Sequence, residues 1–143
     1  MITRVLVATL AGAIVMFLLG YLIFGVLLNS FMQANVNQYT GMIKNPPNFM
    51  LLIGANLVLA WLLAFVGDYW AGIRNFASGL KLGALITFPV VLWSDLQFEA
   101  FANIYIGYVP IIVNVLAGTL LGAISGGVIG LVLGMVDKKQ VTA

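Results

Sequence analysis

Four runs of apolar residues, at positions 5–28, 49–66, 76–101 and 110–136, take up most of this chain. Each is roughly as long as the helix of about 20 residues that crosses a hydrocarbon layer of about 30 Å. Strands of a transmembrane barrel would alternate polar and apolar side chains over about ten residues. These runs are continuous, so they predict helices. Charged residues make up 7% of the sequence, against about 25% in soluble domains. That is too few to cover a soluble core. The expectation is an all-α fold: an integral membrane four-helix bundle forming one transmembrane domain over residues 1–143, with the lipid bilayer as its solvent.

Within the last run, Gly118, Gly122, Gly126, Gly130 and Gly134 recur at every fourth residue, and Asn114 lies one step earlier. In a soluble helix each glycine would cost roughly 1 kcal/mol relative to alanine. In lipid, helices associate by close packing, and small residues let their backbones approach. The row drifts by about 40° per step on a helix of 3.6 residues per turn. Its two ends are therefore expected to face different neighbours, with this helix as a central post. Such a groove also suits contact with a second copy or a larger membrane complex.

The connections set the topology. Residues 30–48 are polar by local standards and end in Pro46-Pro47, which blocks a continuing helix. Asp68, Tyr69 and Trp70 form an interfacial group after the second run. In the third run Pro89 frees the carbonyl of Leu85, and Thr87 is close enough to help satisfy the backbone. A stop after Trp93 is the alternative there, but Leu96, Phe98, Ala100 and Phe101 supply apolar surface and favour one helix to Phe101. Pro110 suits the first turn of the last helix, where its missing N–H is no loss. With the N-terminus inside, Arg4, Arg74, Lys81, Lys138 and Lys139 are cytoplasmic, and only Lys44 is outside. That bias places both termini in the cytoplasm and the Asn-rich first loop outside.

The chain has no histidine and no cysteine. Imidazole bases, thiolate nucleophiles and the usual zinc or haem ligands are therefore missing. No cofactor or metal is expected. A net charge of +2, spread along the chain, offers no patch for nucleic acid. What chemistry there is must come from polar groups inside the spans, which are costly in lipid. At 1.5 Å per residue, Asp95 lies about 21 Å and Glu99 about 27 Å beyond Lys81, and Asn56 about 18 Å beyond Asp68. Asn56 and Asp95 are thus expected to meet in the outer half of the bundle, bordered by Asn114. Asp95 and Glu99 are four apart and share a helix face. Two close carboxylates can share a proton or hold a hard cation. The bland alternatives are solvated acids at a helix end and an asparagine that only cross-links helices. Lys81 reads as a snorkelling anchor. Trp61, Trp70 and Trp93 read as belt or core residues, with an aromatic ligand pocket as the sharper alternative.

Gly20-Tyr21-Leu22-Ile23-Phe24-Gly25, Asn56 to Trp61, Gly83-Ala84-Leu85-Ile86 and the glycine-rich last helix resemble a group of small four-helix membrane proteins from Bacteroidetes-like bacteria, known only as a domain of unknown function. The resemblance implies four spans and brings no activity. The residues themselves point first to a packing, oligomerising or accessory subunit. The alternative is a binder or carrier of a small amphiphile, cation or proton at Asn56, Asp95 and Asn114. An intramembrane enzyme using Asp95 and Glu99 as acid and base ranks last.

Overall fold

The computed structural model describes residues 2–141, and side chains up to residue 137, so the side chains of Lys138 and Lys139 lie outside the described part. Helix α1 (Ile2–Gly20) runs without a break into a π-helical segment (Tyr21–Leu27). Then come the short α2 (Asn29–Asn35), α3 (Phe49–Tyr69), α4 (Phe76–Phe101) and α5 (Val109–Val141). Four helical stretches are long and apolar enough to cross a membrane: Ile2–Leu27, Phe49–Tyr69, Phe76–Phe101 and Val109–Asp137. Four such stretches are consistent with a multi-pass membrane protein. No strand forms among the described residues; one isolated antiparallel pairing joins Val36 to Tyr105.

Most expected boundaries hold, and local chemistry explains them. Asn48 and Asn75 cap α3 and α4 by accepting from the N–H groups of Leu51 (3.2 Å) and Ser78 (2.9 Å), the role for which asparagine is favoured. Helix α4 does continue to Phe101 through Pro89. The hydroxyl of Thr87 donates to the Gly83 carbonyl at 2.7 Å, not to the Leu85 carbonyl that Pro89 frees. Two readings need correction. The stretch read as loop from residue 30 opens with α2, and the end of the first span is π-helical, with Leu28 N–H bonded to the Ile23 carbonyl at 2.7 Å. Neither feature changes the apolar periodicity, so neither was visible in it.

Helix α5 is the central post. Half of its most apolar stretch is buried, against 17% for each of the other three spans. Helix α4 lies along it, while α1 and α3 pair with each other and also touch α5; α3 and α4 hardly meet. The α1–α3–α5 contact is built from side chains: Met16, Leu63, Ile129 and Leu133 are fully or almost fully buried among Ala8, Ala60 and Ala64. Trp61, Trp70 and Trp93 are 48%, 78% and 64% exposed, so none is a core residue, and none lines the two hollows described below.

The α4–α5 contact is built from backbone. A methyl group on Gly79 would run into the carbonyl of Gly126, and one on Gly83 into that of Gly122. Gly122 lies under Thr87, Gly118 under Val91, and Gly134 against the carbonyl of Arg74. The facing residues on α4 (Gly79, Gly83, Thr87 and Val91) are themselves spaced by four. Two rows of i±4 spacing thus interlock antiparallel, a ridge-into-groove arrangement that small residues make close in membranes. The expectation that the two ends of the α5 row face different helices is therefore wrong. All five glycines face α4 or the turn that leads into it, because the α4 row drifts around its own helix at the same rate.

Gly83→Ala is expected to lower stability by about 2 kcal/mol or more, as overpacking does. Gly54→Ala should be neutral or slightly stabilising, because nothing lies within 4 Å of the added methyl group. Thermal melts of both variants in one detergent check the contrast.

Candidate functional site

Three polar or hollow features stand out, one at each end of the bundle and one between them. At the end away from the termini, Asp95 occupies the next position on the α4 row after Val91, and Asn114 the position before Gly118 on α5. The seam brings them together as its last rung. Asn114 Nδ2 donates to both carboxylate oxygens of Asp95, at 2.9 Å and 2.7 Å. The Tyr105 hydroxyl donates to Asp95 Oδ1 at 3.0 Å. Asp95 is 4% exposed. Glu99, one turn further, accepts from the backbone N–H groups of Ile104 (3.2 Å) and Tyr105 (3.1 Å). Burial foremost, then the nearby Asp95 and Glu99 carboxylates, push the Tyr105 phenol well above its usual range. It therefore stays a hydrogen-bond donor at neutral pH.

These bonds fasten the α4–α5 turn to α4, and the turn in turn holds the segment after α2. Asn37 N–H bonds the Ile104 carbonyl (2.8 Å), Ile106 N–H the Asn35 carbonyl (2.8 Å), and the Tyr39 hydroxyl the Asn103 carbonyl (2.7 Å). The two acids thus act as anchors of a knitted cap. Among the described residues no group of three acids or other ligands is placed to hold a metal ion.

The terminal end carries a feature that sequence reasoning did not assemble. Arg4, Asp68, Arg74 and Asp137 form a closed ring of alternating charge. Arg4 reaches Asp137 with Nη1 and Asp68 with Nη2 (3.5 Å). Arg74 reaches Asp137 with Nε (3.1 Å) and Asp68 with Nη2 (2.9 Å). That last approach is close but off the direction of a hydrogen bond. Each guanidinium bridges two carboxylates from separate nitrogens, which a lysine's point charge does not reproduce. The Asp68 side chain is 1% exposed and that of Asp137 37%. The ring ties α1, α3, the turn before α4 and α5 at one level. Lys81, by contrast, is exposed and makes no ion pair among the described residues.

Asn56 is not part of the Asp95 site. Its depth along α3 was legible, but the direction it faces was not. It turns toward α1, on the other side of α5 from α4. There it sits in the wall of a cleft of about 620 Å³, lined by Phe17, Gly20 and Tyr21 from the first span, Phe49 and Leu52 from α3, and Leu121 from α5. A smaller hollow of about 340 Å³, toward Leu10 and Leu57, also has Phe17 and Asn56 in its wall. Gly20 leaves open space where a side chain would be, and the Tyr21 ring lies over Gly25 in the π-helical turn. Tyr21, Phe49 and Leu52 are exposed, so the cleft opens on the apolar flank of the molecule. No charged side chain lines either hollow. Helix irregularity of the π kind often accompanies binding sites, but apolar patterning carries no signal for it.

No known protein family, curated protein or solved structure matches the chain.

Asp68→Asn should cost about 3 kcal/mol, because it leaves two arginines short of a buried counter-charge. Asp137→Asn, at the more exposed corner, should cost much less, because solvent screens its charge. Melting of both variants in detergent tests the ranking; equal losses would show that burial does not set the worth of the ring's corners.

Proposed function

We propose that this chain is a bacterial cytoplasmic-membrane protein, with both termini in the cytoplasm, that takes the hydrocarbon chain of a small amphiphile into the cleft between α1 and α3. The cleft is the observation that carries the reading. Its volume of about 620 Å³ lies within the range of about 300–1,000 Å³ found for small-molecule sites. It runs from Met16 to Gly25 along the first span, about 14 Å at a helical rise. That is close to half of a hydrocarbon core of about 30 Å, the depth one acyl chain occupies.

The orientation is supported by basic residues. Arg4, Arg74, Lys81 and the last turns of α5 lie at one end and Lys44 at the other, the bias that marks a cytoplasmic side. A cytoplasm-active reporter should work at either terminus and fail after Asn37. Activity after Asn37 would reverse the orientation.

The reading as an oligomerising or accessory subunit loses its main support. The glycine row that suited contact with a second copy is occupied by α4. The exposed apolar faces of α3 and α4 remain for lipid or for a partner, and favour neither. The resemblance to a group without an assigned activity leaves the choice to the geometry.

Gly20→Leu is the direct test of the cleft. Gly20 has helical backbone angles (φ −61°, ψ −45°) and open space around it, so leucine fits without strain and fills the hollow. Native mass spectrometry of the parent protein with added oleyl alcohol should show a one-to-one adduct. The variant should bind at least about tenfold more weakly, a difference of about 1.4 kcal/mol, with an unchanged melt. Equal binding by both would remove the cleft as the site.

A further inference from the structure

The two hollows meet at Asn56, and its amide has hydrogen-bonding capacity that the protein does not use. Asn56 Nδ2 donates to the Leu52 carbonyl at 2.8 Å. A carbonyl can only accept, so the amide's orientation is fixed: nitrogen toward Leu52, oxygen away from it. One N–H and the Oδ1 acceptor remain, and no other group among the described residues hydrogen-bonds this side chain. Asn56 lies seven residues beyond Phe49, about 10 Å along the helix and well inside a hydrocarbon core of about 30 Å. At that depth water does not readily supply the missing partner, and an unsatisfied polar group is costly. Every other wall of the junction is apolar or aromatic.

We infer that the ligand of this cleft is a neutral long-chain amphiphile whose one polar group both donates and accepts a hydrogen bond, a hydroxyl in the simplest case, and that this group sits at Asn56. The inference rests on the cleft reading given above and adds the class of ligand. A hydroxyl matches both unused functions of the amide: its proton goes to Oδ1 and its lone pair receives the remaining N–H. A charged headgroup does not fit here, because neither hollow offers a counter-charge and burial of an unpaired charge is strongly disfavoured. A bare hydrocarbon fits the walls but leaves the amide unpaired. The larger hollow then takes the chain on the side of Gly20 and Gly25. The smaller one, beside Leu10 and Leu57, takes a continuation past the polar group. Together they follow the first span from Leu10 to Gly25, about 22 Å at a helical rise.

The test compares oleyl alcohol with octadecene, two probes of equal chain length that differ in the hydroxyl and in the position of the double bond, on the parent protein, Asn56→Leu and Gly20→Leu. Binding is read by native mass spectrometry and by the shift in melting temperature. The parent should prefer the alcohol by about fivefold or more, as one net hydrogen bond implies. Asn56→Leu should lose that preference while still binding octadecene, and Gly20→Leu should bind neither probe well. Equal binding of the two probes by the parent, or a preference that survives in Asn56→Leu, would overturn the hydroxyl assignment and leave the cleft standing. Failure of the parent to bind either probe, or undiminished binding by Gly20→Leu, would overturn both.

Discussion

Between α4 and α5 the backbones themselves are in contact, and the rest of the structure is placed by that contact. Gly79 and Gly83 touch the carbonyls of Gly126 and Gly122 with no side chain between. In lipid, where burying a leucine gains little, such close approach is a main source of helix adhesion. The seam also fixes register without freedom to slip. A shift by one residue on either helix would bring a side chain where only a hydrogen fits. The two polar features at the ends inherit their alignment from it. Asp95 meets Asn114 because they are the next rung, and Arg74 meets Asp137 because the other end stops level.

The two halves of the bundle are held in different ways. The α4–α5 half interlocks through backbone, while α1 and α3 pack on α5 through alanines, leucines, Met16 and Ile129. Side-chain packing leaves room for hollows, and both described hollows lie in the α1–α3 half. The π-helical turn is in the same half. At one end the ion ring closes this half against α5, and at the other the Val36–Tyr105 pairing holds the connecting segment. The cleft thus lies in the side-chain-packed part of a molecule that is pinned at top and bottom.

Much of this was legible in the residues. Continuous apolar runs specify spans, and a row of glycines specifies close packing, because both depend on one-dimensional spacing. The run of α4 past Trp93 and the meeting of Asp95 with Asn114 followed from apolar surface and depth. Depth, however, says nothing about azimuth. Asn56 was at a suitable height and on the wrong side of α5. The matching row on α4, Gly79, Gly83, Thr87 and Val91, was present in the sequence and would have shown that a single neighbour takes the whole glycine face. The ion ring was half legible: its four members stand at run ends on one side, but pairing depends on how far each end projects. The π-helical turn leaves no trace in hydropathy, and the cleft beside it depends on the space that Gly20 leaves open.

The ring has a consequence for the order in which the chain can be built. Arg4 and Asp137 are separated by 133 positions, so one corner of the ring is made with the first span and another only after the last. Synthesis runs from the N-terminus, and α5, the helix that every other span touches, arrives after them all. Until then α1 and α3 can pair, but α4 has no partner for its glycine face and Arg4 lacks Asp137. Closure of both the seam and the ring therefore waits for α5. Once α5 is in place the seam closes on one side of it, the α1–α3 pair packs on the other, and Arg4 meets its second carboxylate.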